Sequence, residues 1–161
     1  MKTAILTIST SVAAGRTEDR SGAALAELAA AAGAEIVARD VLPDDRASIE
    51  EWLRRRADDG VSLIFTTGGT GLTHDAVTPE ATRAVIDRDA PGFAEAMRAE
   101  SLKYTPMGIL TRGVSGIVGR TLIINFPGNP KAIGQLFPVI APTLGHVVAT
   151  LAREGGRTPG H

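Results

Sequence analysis

The stretch TTGGTG at residues 66–71 decides how the rest of this sequence is interpreted. The run VSLIFT at residues 61–66 carries no charge and predicts a buried strand that ends at this turn. Beyond the turn, TPE at residues 78–80 predicts the start of a helix, with Thr78 as its cap and a proline and an acid in its first turn. The glycines therefore connect a strand to a helix, which is the repeating unit of a parallel sheet.

The composition of this turn fits phosphate binding, and it also fits a simple connection between two elements. Glycine lets the backbone take a positive φ and approach a ligand closely, and successive N–H groups form a cradle for an anion. No Gly-Lys-Ser/Thr follows, so the turn is not a Walker A loop, and its glycine spacing differs from the GxGxxG of dinucleotide-binding proteins. From the turn alone, both interpretations stay open.

On the N-terminal side of the turn, the sequence alternates between strands and helices. We predict strands at residues 3–9 and 35–42, a polar loop at 10–18, and helices at 20–32 and 48–59. Asp19 is expected to cap the first of these helices.

On the C-terminal side, the helix that begins at Thr78 is expected to run to about residue 87, and a second helix to cover 93–103. Residues 108–112 and 115–118 predict a hairpin around Gly113, and residues 120–126 predict the last strand. A long helix from residue 131 to about 153 should bend near Pro138 and Pro142.

This order predicts an α/β fold: a single-domain, three-layer sandwich with a largely parallel sheet covered by helices on both faces. The domain should span residues 1–153, and residues 154–161 should form a flexible C-terminal tail.

The composition excludes several classes of protein. Six aromatic residues among 161, and 17 basic against 18 acidic residues, argue against a nucleic-acid partner. Without cysteine there is neither a disulfide nor a cysteine-based zinc site. We see no apolar stretch long enough for a signal peptide or a membrane span, so we expect no membrane partner and a cytoplasmic location.

Four predicted loops follow strands and are rich in Gly, Pro, Asp, Ser or Thr. In a parallel sheet, ligands bind beyond the carboxyl ends of the strands, so these loops should meet at one site. They cover residues 9–22, 43–45, 67–78 and 127–130.

Two loop carboxylates, Asp44 and Asp75, are the candidate metal ligands. Carboxylates beside a phosphate cradle suit Mg²⁺, which prefers oxygen ligands and substrate phosphates. A loop aspartate is also a common helix cap, and Asp45 competes with Asp44 for that role.

Arg112 and Lys131 are candidates for neutralising phosphate charge, although most such side chains are simply solvated. Asn129 is a candidate donor to a ligand, or simply a turn residue.

The motifs together resemble the MoaB/Mog family of molybdenum cofactor biosynthesis. The resemblance covers nearly the whole chain. It rests on DRSG at residues 19–22, PD at 43–44, TTGGTG at 66–71, VTPEAT at 77–82, PG at 91–92, GRTLIIN at 119–125 and PGNPK at 127–131.

The resemblance implies a homotrimer or, in some members, a larger assembly such as a hexamer, with possible hand-over of the product to a molybdate-insertion protein. It implies that molybdopterin and ATP are substrates and that Mg²⁺ is required. The terminal phosphate of molybdopterin attacks the α-phosphate of ATP, and pyrophosphate leaves. It places Asp44 at one of the family's essential acidic positions, and we predict that Asp44 and Asp75 serve in catalysis and hold the metal. The substrate-binding residues that it implies are Ser9, Asp19, Ser21, Thr67, Gly68, Gly69, Thr70, Gly71, Thr111, Arg112, Pro127, Gly128 and Asn129.

Two positions depart from the family pattern. The family commonly has an aspartate directly before its Val-Thr-Pro-Glu segment, where this chain has Ala76, preceded by Asp75. It often has Ser-Asp after the first strand, where this chain has Ser9-Thr10. The first departure leaves three explanations open: a natural variant with weak adenylation, a shifted but working site, or an engineered inactive protein. The alternatives to an adenylyltransferase are a non-catalytic molybdopterin-binding protein and, less favoured, a trimeric scaffold.

Overall fold

The computed structural model describes residues 1–153, and the predicted tail at 154–161 lies outside the described residues. The strands are β1 (Lys2–Ile8), β2 (Glu35–Leu42), β3 (Leu63–Thr67), β4 (Arg88–Asp89), β5 (Ser115–Val118) and β6 (Thr121–Phe126). The α-helices are α1 (Thr10–Ala13), α2 (Arg20–Ala31), α3 (Arg46–Asp58), α4 (Thr78–Val85), α5 (Gly92–Ser101), α6 (Pro130–Ile140) and α7 (Leu144–Leu151). Two 3₁₀ turns cover Pro106–Leu110 and Ala141–Thr143.

All six strands form one sheet in the order β2-β1-β3-β6-β5-β4. The pairs β1–β2, β1–β3 and β3–β6 are parallel, while β5 and β4 add an antiparallel edge. Because the four parallel strands run in one direction, the loops that follow them leave the same edge of the sheet.

The sheet is buried on both faces, as its continuous apolar strands predict. On one face, Ile5, Phe65 and Ile124 pack against α2, α5, α6 and α7. On the other face, Leu6 and Ile64 pack against α3 and α4. The predicted three-layer α/β sandwich is confirmed.

Four local predictions are wrong. The loop predicted at residues 10–18 begins with α1, which Ser9 caps by accepting a hydrogen bond from the Val12 amide. The helix that begins at Thr78 ends at Val85, and residues 88–89 form β4. Thr78 does not cap that helix, because its hydroxyl donates instead to the Gly68 carbonyl oxygen at 2.9 Å.

The fourth wrong prediction is the hairpin around Gly113. Residues 106–110 form a 3₁₀ turn, and β5 pairs with β6 through a two-residue turn at Gly119 and Arg120. Gly119 has a φ of +57°, which a type II′ hairpin turn requires at its first central position.

The prediction that no apolar stretch is long enough for a membrane span is also wrong. Among the residues described, Pro130–Leu151 reaches the necessary length, with a mean hydropathy of 1.4. This stretch breaks at residues 141–143, as the prolines predict, and its residues Ile133, Phe137 and Leu144 pack in the core. Core helices of globular proteins can be equally long and apolar, so the length and composition of this stretch are weak evidence for a membrane span.

Candidate active site at the carboxyl ends of the strands

A cleft of about 540 Å³ opens at the carboxyl edge of the parallel strands. Residues from all four predicted loops line it, for example Ser21, Asp44, Gly69 and Gly128. The convergence of these loops is therefore a feature of the fold.

The glycine turn after β3 forms one wall of the cleft, and its backbone requires glycine. Gly68 and Gly69 have φ values of +95° and +67°. A Cβ atom on Gly68 would lie 2.3 Å from the Ile8 carbonyl oxygen, and one on Gly69 would lie 2.3 Å from the Thr78 hydroxyl. Any side chain at either position would force the turn to move.

The amides of this turn are available to a ligand. The Gly68 amide donates to the Phe126 carbonyl oxygen at 3.1 Å. Within residues 1–153, the amides of Gly69, Thr70 and Gly71 donate to no protein acceptor. Successive free N–H groups in a glycine turn form the concave cradle that binds anions.

The turn after β6 separates this cleft from a second cavity of about 250 Å³. Gly128 and Pro130 face the cleft, while Pro127 and Asn129 face the second cavity. The second cavity lies between α5, the 3₁₀ turn at Pro106–Leu110 and α6. It is the more apolar of the two cavities, with Met97, Met107 and Leu136 in its wall.

Asp44 is held at the cleft by its contact with the start of α1. Its Oδ2 atom accepts hydrogen bonds from the Thr10 amide at 3.3 Å and the Thr10 hydroxyl at 2.9 Å. Its Oδ1 atom would lie 3.2 Å from a Cβ on Gly69, beside the free amides. The helix cap is its neighbour Asp45, whose carboxylate accepts from the Ser48 amide at 3.1 Å. The competition between the two aspartates is thus resolved, because Asp45, and not Asp44, caps α3.

Asp75 and Ala76 lie side by side in the wall of the cleft. Asp75 is exposed and makes no hydrogen bond within the described part of the chain, whereas Ala76 is buried. The carboxylate that the family pattern places at residue 76 is absent, and a free carboxylate stands one residue earlier.

Arg112 binds the loop between the glycine turn and α4. Its guanidinium donates to the Gly71 carbonyl oxygen at 2.8 Å and to the Ala76 carbonyl oxygen at 2.7 Å. It also forms a two-point pair with Glu80, at 2.8 and 3.1 Å. This pairing lowers the pKa of the Glu80 carboxyl and raises the pKa of Arg112.

Not every predicted site residue lines the cleft. Three make structural contacts outside both cavities. Asp19 caps α2 and accepts from Thr7 at 3.0 Å, Thr67 donates to the Pro127 carbonyl oxygen at 2.8 Å, and Arg112 binds the loop. Thr111, Pro127 and Asn129 line the second cavity. The remaining predicted residues line the cleft: Ser9, Ser21, Asp44, Gly68, Gly69, Thr70, Gly71, Asp75 and Gly128.

Sequence reasoning missed a buried polar network below the glycine turn. The Asn125 side-chain amide donates to the hydroxyls of Thr66 at 2.9 Å and Thr82 at 3.0 Å. The Thr82 hydroxyl donates to the Thr78 carbonyl oxygen, and the Thr78 hydroxyl donates to the Gly68 carbonyl oxygen. Threonine in a strand otherwise composed of apolar residues was the available signal. The cleft residues Arg20 and Thr73 were also missed.

A glycine cradle in a strand-end cleft, with carboxylates beside it, is typical of α/β proteins that bind phosphate-bearing ligands. The chain belongs to the family described as "Probable molybdopterin binding domain", whose profile matches residues 4–146. The resemblance to the MoaB/Mog family is thereby confirmed.

The chain is similar to MoaB, a molybdopterin biosynthesis enzyme from Thermus thermophilus, with 42% identity and a TM-score of 0.88. The two structures match over 93% of this chain and 95% of that one. It is 44% identical to the molybdopterin adenylyltransferase of Haemophilus influenzae, over 67% of this chain and 55% of the relative. It is 38% identical to the molybdenum cofactor synthesis protein cinnamon of Drosophila melanogaster, over 89% of this chain. The chain spans about half of the adenylyltransferase and 24% of cinnamon.

Proposed function

We propose that this protein is a molybdopterin adenylyltransferase of molybdenum cofactor biosynthesis, which joins ATP and molybdopterin to give adenylyl-molybdopterin and pyrophosphate. The names of several relatives support the reaction. The observation that carries the proposal is the set of free amides at Gly69, Thr70 and Gly71, in a cleft that Asp44 borders.

The chain needs no nucleophile of its own for this reaction. A phosphate oxygen of molybdopterin attacks the α-phosphorus of ATP, the bond to the β-phosphate oxygen breaks, and pyrophosphate leaves. The protein has to hold two anionic groups in line and offset their charge. The glycine turn supplies fixed donors for one phosphate, and Ser21 and Thr70 add hydroxyls to the wall of the cleft.

The arrangement of the two cavities suits two substrates. They meet at the turn after β6, which presents Gly128 to one and Asn129 to the other. We place the nucleotide and the phosphates in the polar cleft. We place the pterin ring in the more apolar cavity, where Thr111 and Asn129 offer hydrogen bonds to its edge.

We also propose that a cation accompanies the substrates, and the charge of the cleft supports this. Glu18, Asp44 and Asp75 line it, and Arg20 is its one basic side chain among the described residues. Phosphates would be repelled by this excess of carboxylates. Among residues 1–153 no group of three or more potential ligands is close enough to form a metal site alone.

Those donors fit Mg²⁺, which binds one or two carboxylates and completes its shell with phosphate oxygens and water. Asp44 and Asp75 would hold it, and when bound it would neutralise charge on the phosphates. Asp44 is already oriented for this, because Thr10 fixes one of its oxygens.

Several wider properties go with this proposal. We propose a cytoplasmic homotrimer, or a hexamer, that passes its product to a molybdate-insertion protein. Side chains suited to a subunit contact cluster near the second cavity. Tyr104, Met107 and Ile109 are 54%, 63% and 68% exposed, and an apolar surface of this kind marks interaction sites. Sedimentation velocity would give the number of subunits.

The second candidate function is a molybdopterin-binding protein without turnover, and Ala76 favours it. The decisive assay incubates the protein with molybdopterin, ATP and Mg²⁺ and measures adenylyl-molybdopterin and pyrophosphate. Equal amounts of both products, dependent on Mg²⁺, support the transferase. Binding of molybdopterin without either product supports the second candidate and overturns the first.

A further inference from the structure

The loop of residues 70–76 carries much of the cleft wall, but apolar packing does little to hold it. Residues 71–75 are all exposed, and Leu72 is 65% exposed. Its two ends are tied by the Thr78 amide, which donates to the Gly69 carbonyl oxygen at 3.1 Å. The middle of the loop therefore depends on polar contacts for its conformation.

Arg112 supplies those contacts from the other side of the loop. Its backbone amide donates to the Thr70 carbonyl oxygen at 2.8 Å, and its guanidinium donates to the carbonyl oxygens of Gly71 and Ala76. One residue thus binds both the beginning and the end of the loop. Glu80 occupies two further N–H groups of the guanidinium and fixes its orientation.

The direction of these hydrogen bonds matters for the cleft. In a trans peptide the carbonyl and the following N–H point in opposite directions. Arg112 holds the carbonyl of Thr70, so the N–H of Gly71 points away from Arg112 and remains free for a ligand. At the other end, the bond to the Ala76 carbonyl fixes the backbone next to Asp75.

We propose that Arg112, oriented by Glu80, is a positioning residue that fixes the 70–76 loop in the conformation that offers its amides and Asp75 to the phosphates. This role differs from the substrate contact expected from the sequence. Four of the five N–H groups of the guanidinium bind protein acceptors. The consequence for substrate rests on the proposed function, whereas the effect on the loop does not.

Amide hydrogen exchange of the ligand-free protein tests the effect on the loop. In Arg112→Met we expect exchange of the Ala76 and Thr78 amides, which donate to the Thr73 and Gly69 carbonyl oxygens, to accelerate at least about tenfold, with no change in β3 or β6. Arg83→Met is the matched control, because Arg83 lies on the same helix as Glu80 and, among residues 1–153, the side chain that binds the Gly71 and Ala76 carbonyls is that of Arg112. If Arg112→Met does not fold, Arg112→Lys gives the same readout, because lysine lacks the planar fork. Unchanged exchange in a folded variant would overturn the proposal.

A charge reversal separates positioning from a simple ion pair. The double variant Glu80→Arg with Arg112→Glu can restore the pair, but a carboxylate cannot donate to the carbonyls of Gly71 and Ala76. We expect it to recover thermal stability relative to Arg112→Glu while loop exchange stays fast. Recovery of slow exchange together with stability would contradict the positioning role.

Calorimetric titration with MgATP links the loop to the proposed function. We expect Arg112→Met to bind MgATP at least about tenfold more weakly than the natural chain, and Arg83→Met to bind it equally well. If the natural chain binds no MgATP while Arg112→Met still loosens the loop, the proposed function fails and the positioning role stands. Equal MgATP affinity in Arg112→Met and the natural chain would overturn the link.

Discussion

A Cβ atom on Gly128 would lie 3.2 Å from the Cα of Gly68, so the turns after β6 and β3 touch through their glycines. This contact lies where the cleft and the second cavity meet. It brings the free amides of one turn beside the residues that separate the two cavities. The relative position of the two proposed substrates therefore depends on two residues without side chains.

Gly128→Ala should weaken MgATP binding roughly tenfold, because the added methyl group pushes the two turns apart by a few tenths of an ångström. Calorimetric titration measures the change. Gly134→Ala is the control: this exposed glycine in α6 has nothing within 4 Å of an added Cβ. That variant should leave affinity unchanged and stabilise the fold by about 0.5–1 kcal/mol. Equal effects of the two substitutions on affinity would contradict the importance of the glycine contact.

Two adjacent aspartates should behave differently when each is replaced by alanine. Asp44→Ala should lower the rate of adenylation at least about a hundredfold, since its carboxylate borders the cleft, and its cost in thermal stability should be limited to the exposed hydrogen bonds from Thr10. Asp45→Ala should lower the midpoint of thermal unfolding and retain activity, because its carboxylate caps α3. Product formation that survives Asp44→Ala would remove Asp44 from the mechanism.

Substitutions at residues 75 and 76 test whether the catalytic carboxylate has moved by one position. If the site is weakened by Ala76, Ala76→Asp should raise kcat, and Asp75→Asn should have a small effect. If Asp75 has taken over, Asp75→Asn should abolish turnover and Ala76→Asp should leave it unchanged. Steady-state kinetics of the two variants decide between these explanations. If both variants keep the activity of the natural chain, with no gain in Ala76→Asp, then no carboxylate at residue 75 or 76 takes part.

The pair of Glu80 and Arg112 predicts how stability depends on pH. Hydrogen bonds from Arg112 hold the pKa of the Glu80 carboxyl below its ordinary value of 4.5. The unfolded chain lacks the pair and takes up this proton at higher pH. The stabilisation is therefore complete above about pH 4.5 and is lost as the pH falls through the lowered pKa of the folded chain. Denaturant unfolding of the natural chain and Glu80→Gln should show a difference at pH 7 that shrinks in acid. A difference that is constant with pH would contradict this account.

Local sequence signals were sufficient for much of the fold. The bounds of β2 agree with the prediction, because Pro43 ends a segment that contains the β-branched residues Ile36, Val37 and Val41. Asp19 caps α2 as predicted, and the C-terminal helix breaks at residues 141–143, which include Pro142. The four strand-end loops converge because a parallel sheet places them at one edge.

Other features have no local signal. Arg112 contacts Gly71, Ala76 and Glu80, which are 41, 36 and 32 residues away in the sequence. Only the folded chain shows that its guanidinium binds protein rather than ligand. The hairpin was misplaced for a different reason, since Gly113 and Gly119 are both plausible turn residues. Pairing of Val118 with Thr121 selects Gly119.

The most direct test of the central claim, that phosphates bind at the glycine turn, is a titration of the ¹⁵N-labelled protein with MgATP, followed by amide chemical shifts. We expect the largest changes at Gly69, Thr70 and Gly71, whose amides have no protein acceptor within residues 1–153. Saturable binding with unchanged signals at these three amides, and the largest shifts elsewhere, would contradict it.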